Sequence, residues 1–309
     1  MKELTDFQEK LARNCPDIRI LYNEPMAKHT SFRIGGAAEA MAFPKDKEEL
    51  DQLLKTSRLL DCNPAILGAG TNVLAPDEGM AGLVICLKDC LDGMERLDET
   101  HIRVMAGVTM TRAAMFAAKQ GLSGLEFAHG IPGTVGGGVY MNAGAYGGEI
   151  SGVLSQTEIM DPEGKILTLS REDMAFSYRH SRLEDTPGIV LSAVFCLTPA
   201  DSEGIFARMK ELMAKRSASQ PLDLPSAGSA FKRPREGYAA ALIDETGLKG
   251  FQVGGAAVSR KHAGFAVNLG GATARDVKEL LRQVSDRVYG KTGIRLEPEV
   301  RLWGVEDAD

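Results

Sequence analysis

No stretch of the sequence approaches the ~18 consecutive apolar residues that a membrane-spanning helix needs. Cysteine is scarce: five in 309 residues, at 15, 62, 86, 90 and 196, an odd and scattered set. Cys86 and Cys90 make a lone CxxxC without a second pair. Neither a disulfide framework nor a zinc site is indicated, so free thiols in a reducing compartment are expected. There is no excess of positive charge: 36 Lys and Arg against 42 Asp and Glu leave a net −6. That balance disfavours nucleic acid and anionic membrane as partners, and an anionic ligand must be held by a few placed cations and backbone amides. The opening MKELTDFQEK has no apolar run behind Lys2, so a secretory signal is not expected and the cytoplasm is.

Familiar site signatures are missing as well. Gly68-Ala69-Gly70-Thr71-Asn72-Val73 lacks the third glycine of GxGxxG, and GxxxxGK[ST] does not occur. No Gly-x-Ser-x-Gly elbow surrounds Ser229, which argues against a hydrolase nucleophile. His29, His101, His129, His180 and His262 have no metal-like spacing, so no metal site is read.

Glycine, by contrast, is abundant and clustered, with 34 in the chain. It peaks at Gly35-Gly36, at Gly68–Gly70, and in Gly130–Gly148, where eight glycines fall in nineteen residues. Such irregular spacing marks special backbone angles or close approach of backbone to a ligand. Two separate glycine loops, each near an asparagine (Asn72, Asn142), suit an elongated ligand with a pyrophosphate at its middle.

Around the loops helices and strands alternate. Hydrophobic spacing predicts helices at Leu4–Leu11, Asp46–Leu60, Thr109–Gln120 (stopped by Gly121), Ser202–Ser217, Tyr238–Thr246 and a capped one from Thr273. Strands are expected at Ala65–Leu67, Leu83–Leu87, Ile102–Ala106, Glu158–Met160, Lys165–Leu169, Ile189–Leu197, Phe251–Ser259, Gly264–Leu269 and Ile294–Trp303, with Ser177–Ser181 in a strand region. At ~150 residues per domain the length suggests about two domains, with Gln220-Pro221 the best break.

Six segments, in order, resemble one known family, the flavin-dependent UDP-N-acetylenolpyruvoylglucosamine reductases of bacterial peptidoglycan synthesis. They are His29–Gly36, Leu67–Leu74, Gly130–Gly137 with Met141–Gly147, Ser177–Ser181, Pro225–Lys232 and Leu296–Arg301, spanning about residues 20–304. The resemblance implies an α+β protein. Its two-lobed FAD-binding fold would be of the p-cresol methylhydroxylase/vanillyl-alcohol oxidase type, followed by a C-terminal α/β substrate-binding domain. The implied division is 1–88 and 89–200 for the FAD subdomains and 201–309 for the substrate, with the final strand free to return to the first subdomain. The short stretch between Arg179 and Ser229 matches the shorter type of the family, without the inserted tyrosine loop.

Carried over by motif, Arg179, Ser229 and Glu299 take the catalytic positions. Noncovalent FAD would lie on Gly68, Ala69, Gly70, Thr71, Asn72, Gly130, Pro132, Gly133, Thr134, Gly137, Asn142, Ala143 and Gly144, with Arg33. NADPH would be the hydride donor. Tyr178, Lys232, Arg233, Lys261 and His262 would meet the UDP-sugar, and Arg233 stands where longer-type members carry Asn. The oligomeric state stays open, a monomer being compatible. Two rivals remain at this level: an oxidase on the same flavin fold, and an idle flavin- or nucleotide-binding module.

Overall fold

The computed structural model describes residues 3–304. Seven α-helices are present among them: α1 (Asp6–Asn14), α2 (Lys47–Leu59), α3 (Met110–Lys119), α4 (Val135–Tyr140), α5 (Ser202–Ser219), α6 (Ala239–Glu245) and α7 (Ala274–Thr292). None is long and apolar enough to cross a membrane. Their starts follow from short polar side chains that accept amide hydrogen bonds the helix leaves open. Thr5 and Thr273 form capping boxes with Gln8 and Asp276, and Asp46, Thr109 and Thr134 cap α2, α3 and α4. Pro221 lies just beyond the end of α5, which runs two residues further than the spacing predicts.

The chain packs as two units, both discontinuous. The first is 1–22, 40–69 and 82–216; the second is 23–39, 70–81 and 217–309. The expected boundaries at 88 and 200 both fall inside the first unit, and α5 is divided between the units at 216/217. Local hydrophobic pattern reports which face of an element is buried, not which distant segment it is buried with, so this interleaving had no local signature.

In the first unit the strands Ile166–Ser170, Leu154–Met160, Ile189–Cys196, His101–Met105 and Met94–Arg96 form a five-stranded sheet in that order. Its pairings are antiparallel. Ile189–Cys196 is buried along nearly its whole length, as a central strand with both faces covered should be. A second sheet orders Arg19–Pro25, Ala37–Phe43, Met80–Cys86 and Ala65–Leu67, the last pair parallel. The chain passes between units within three of these strands, at 22/23, 39/40 and 81/82. The core joins α1, α2 and α3 to both sheets through Leu11, Leu50, Leu53, Ile85, Ile102, Ala114 and Phe195.

The second unit holds the antiparallel sheet Ser226–Ser229, Phe265–Asn268, Ala256–Val258 and Gln252–Val253 in that order. α7 packs on it with Val277, Leu280, Leu281, Val284 and Val288, which recur at helical spacing. Phe32, Ile34 and Leu74 complete this core from the amino-terminal segments. Arg301–Leu302 pairs in parallel with Val73–Leu74.

Three expectations need correction. Phe251–Ser259 is not one strand: Gly254, at φ 53°, turns it into a hairpin. Ile294–Trp303 contracts to Arg301–Leu302, because Pro298 has no amide to donate to a ladder. Ser177–Ser181 is a tight turn, with Ser177 and His180 exchanging backbone hydrogen bonds at 3.1 and 3.2 Å.

A candidate cofactor cradle and a paired serine and glutamate

Within the first unit the two glycine loops meet. Ala65–Leu67 ends in Gly68, where a Cβ would stand 2.7 Å from the Thr134 hydroxyl, so only glycine admits this approach. Thr134 is buried and caps α4, its Oγ1 accepting from the Gly137 amide at 3.4 Å. α4 is then pinned in place. Val135 and Gly136 donate to the carbonyls of Val108 and Ala106 at 2.8 and 2.9 Å, and Met110 donates to Gly133 at 3.0 Å. A Cβ on Gly138 would come 2.7 Å from the Met110 sulfur, whereas one on Gly137 would meet nothing nearer than Thr134 Oγ1 at 3.6 Å. Gly137 is exposed, Gly138 buried. The helix therefore packs on one glycine and presents another to solvent.

Asn142, in left-handed backbone at φ 44°, is buried and bonded at both ends of its amide. Its Nδ2 donates to the Ser177 carbonyl at 2.9 Å and its Oδ1 accepts from Ser151 N–H at 2.9 Å. Its side chain therefore holds the turn that carries Tyr178 and Arg179. Arg179, half-buried and itself left-handed at φ 56°, donates from Nη2 to Gly144 at 3.0 Å and lies 5.0 Å from the Tyr178 ring. A non-glycine residue in this region stores on the order of 1 kcal/mol of strain or more, which the surrounding bonds must outweigh. Ala143 and Gly144 extend the loop, and Pro132 is exposed beside them.

Arg216 was not singled out by motif. Its guanidinium lies within 6.0 Å of the Tyr146 ring, and its Nε would stand 3.0 Å from a Cβ on Gly130. Burial pushes its pKa down, while Tyr146 pulls it up. The signal was available: Ile205, Met209 and Leu212 are the buried face of α5, and residue 216 continues that row by one turn.

The second unit presents the rest. Gly70, at φ 61°, puts its Cα where any Cβ would stand 2.0 Å from the His29 carbonyl, and its own carbonyl accepts from Ser31 N–H at 2.9 Å. The His29 ring is held by Glu24 at 3.0 Å. Asn72 donates from Nδ2 to the Glu299 carbonyl at 3.0 Å and accepts from Arg301 N–H at 3.0 Å, tying the loop to the last strand. Thr71 is half-buried between them, and Arg33 is exposed at φ 56°.

Ser229 ends the strand Ser226–Ser229 opposite Phe265 and is exposed. The next residue, Ala230, donates to Gly264 at 2.8 Å and accepts from Glu299 N–H at 2.9 Å. One residue thus fixes the backbones of both Ser229 and Glu299. Glu297 ion-pairs with Lys232, whose amide also donates to the Glu297 carbonyl at 2.8 Å. Of the other cations expected at the substrate, Lys261 donates to the Ser217 carbonyl at 2.6 Å and Arg233 stacks 4.1 Å from the Tyr238 ring. His262 accepts from Gly264 N–H through Nδ1 at 3.1 Å, and burial lowers its pKa.

Comparison with known proteins places this geometry. Residues 38–170 match a family model described as an FAD binding domain, and residues 220–303 match the UDP-N-acetylenolpyruvoylglucosamine reductase C-terminal domain. Proteins named UDP-N-acetylenolpyruvoylglucosamine reductase from Levilactobacillus brevis and Agathobacter rectalis are each 44% identical, covering 96% of this chain and 97% and 98% of theirs. The one from Clostridium tetani is 42% identical over 98% of both chains. A crystal structure of the enzyme from Thermus caldophilus superposes with a TM-score of 0.77 at 35% identity, covering 93% of this chain and 98% of that one. With both halves matched and nearly its full length covered, this chain belongs to the UDP-N-acetylenolpyruvoylglucosamine reductase family.

Proposed function

We propose that the protein is the NADPH-dependent flavoenzyme that reduces UDP-N-acetylglucosamine enolpyruvate to UDP-N-acetylmuramate for peptidoglycan, with Arg179, Ser229 and Glu299 as its reacting groups. The observation that carries this reading is Ala230, whose two backbone hydrogen bonds fix the serine and the glutamate side by side in sequence-distant segments. An FAD-binding module without turnover has no need of that arrangement.

The glycine cradle fits FAD. Gly68 lies so close to Thr134 that no side chain fits, and Gly137 is open to solvent at the start of α4. The half-buried guanidinium of Arg216, beside Gly130, adds the positive potential that a pyrophosphate needs. FAD held there would supply the two-electron hydride chemistry that links NADPH to C3 of the enolpyruvyl group. The protein's part concerns the charge that then develops on C2 and its carboxylate. Arg179 is fitted to clamp such a carboxylate, its rotamer limited by Gly144 and Tyr178. Glu299, protonated, would donate to the same group. Ser229 would hand its hydroxyl proton to C2; a hydroxyl is a weak acid, so its value lies in fixed position. Tyr178, Lys232, Arg233 and Lys261 would border the UDP-sugar. The flavin is held noncovalently, and the five free cysteines suit a reducing cytoplasm.

The test separates the two half-reactions. Anaerobically, NADPH should bleach the yellow protein and the enolpyruvyl sugar should restore the colour. Ser229→Ala should still bind FAD and be reduced by NADPH, while reoxidation by the sugar slows by at least ~100-fold. Near-normal reoxidation would remove Ser229 from the reaction.

A further inference from the structure

His262 sits one step from the serine and glutamate without a part in the scheme above. It lies in the turn between Ala256–Val258 and Phe265–Asn268, which Ser259 organises by accepting from the amides of Lys261 and His262 at 3.1 and 3.3 Å. The ring packs edge-on against Phe265 at 5.0 Å, and a Cβ on Gly264 would meet the ring at 3.1 Å and Ala240 at 3.1 Å. Phe265 is the residue paired with Ser229.

Gly264 is bonded through both its amide and its carbonyl. Its N–H donates to His262 Nδ1 at 3.1 Å, and its carbonyl accepts from Ala230 N–H at 2.8 Å. Ala230 in turn accepts from Glu299 N–H at 2.9 Å. A continuous path of three hydrogen bonds therefore links the imidazole to the backbones of both candidate reacting groups. The path fixes the tautomer: a nitrogen that accepts carries no proton, so the neutral ring has its hydrogen on Nε2.

We infer that His262 is a positioning residue: its neutral Nδ1 holds the backbone of Gly264 on its amide side, and Gly264, through its carbonyl and Ala230, sets Ser229 and Glu299. This rests on Ser229 and Glu299 being the reacting groups. Protonation turns Nδ1 into a donor facing another donor, so the bond is lost and the pair loosens. The charged groups near the ring are Lys249, paired with Asp244 at 2.6 Å, and Lys261 and Arg260 of its own turn. Burial favours the neutral form, a contact with His262's own backbone carbonyl opposes it and Lys249 adds to it, so the net shift is downward. The loss is therefore expected below the ordinary imidazole range.

Two variants of the holoenzyme separate positioning from substrate contact. Asn can place an acceptor where Nδ1 stands and does not titrate; Gln reaches the Nε2 position instead. His262→Asn should reoxidise with the sugar within about twofold of the wild type near neutrality and lack the fall in rate that the wild type shows below pH ~6.5. His262→Gln should be about tenfold slower at every pH, with KM for the sugar and FAD content unchanged. Nitrogen-15 spectra of the imidazole should show hydrogen on Nε2. An acid limb that survives in His262→Asn, a His262→Gln that matches the wild type, a raised KM in place of a lowered kcat, or hydrogen on Nδ1 would each overturn the inference. Ser229→Ala measured alongside isolates the underlying reading. If that variant reoxidises normally, the serine assignment fails, while the tautomer and the pH limb still report on His262.

Discussion

Asn142 is a buried side chain on which the glycine-rich segment and the Arg179 turn both depend. Removing a buried amide that is bonded at both ends leaves the Ser151 N–H and the Ser177 carbonyl without it, at about 1–3 kcal/mol. Asn142→Ala should lower the denaturation midpoint and also slow reoxidation by the sugar, since Arg179 then loses its fixed turn; urea titration and half-reaction kinetics check the two effects. Gly68→Ala should act differently. Its Cβ would stand 2.7 Å from Thr134 Oγ1, the loops must part, and flavin content after purification should fall well before stability does. At this scale the motifs speak wherever the residue type is dictated by its own chemistry, and Ser229 and Glu299 are proposed on that ground. They were blind to what competes for a side chain. Lys232 reads as a free cation until Glu297 is seen to hold it, and Asn142 reads as a ligand until both ends of its amide are seen to be engaged.

Helix starts were the most legible elements, because a cap is a local bargain between one side chain and the amides two or three residues on. Thr273 and Asp276 were readable as a pair, yet the start of α7 has a further partner from afar: Asp77 accepts from Ala274 and Arg275 N–H at 2.8 and 3.2 Å. Thr273→Ala and Asp77→Ala should each destabilise the protein by about 1 kcal/mol, seen as a lower thermal midpoint with unchanged flavin content. Strands were less legible, since a short apolar run cannot show where a ladder ends. Gly254 splits one expected strand and Pro298 shortens another, and both are local signals that the apolar pattern around them outweighed. Arg19–Pro25 and Ala37–Phe43 were not expected at all; neither shows strict alternation of buried and exposed residues.

For the whole molecule, two cores matter. The second is built from 217–309 but filled by Phe32, Ile34 and Leu74, which are 1%, 2% and 0% exposed. A fragment of residues 217–309 should therefore lack a cooperative transition when expressed alone; a sharp melt with dispersed amide resonances would contradict this. Acid should weaken both units. Burial lowers the pKa of His129 in the first and His262 in the second. The unfolded chain then binds protons before the folded one, so stability is whole above pH ~6.5 and declines as pH falls below it toward the depressed folded values. Urea midpoints measured between neutrality and mildly acidic pH should fall, and less so in His262→Asn.

The pairing of Arg301–Leu302 with Val73–Leu74 has a consequence for how the protein is made. Synthesis delivers Val73 more than two hundred residues before Arg301, so the second core stays open, its apolar side chains showing, until Arg301 has emerged. Most of the first unit, by contrast, is available once residue 216 has emerged. The nascent polypeptide therefore carries one half able to condense early while the other waits for its last strand, an interval in which aggregation and chaperone capture compete with completion.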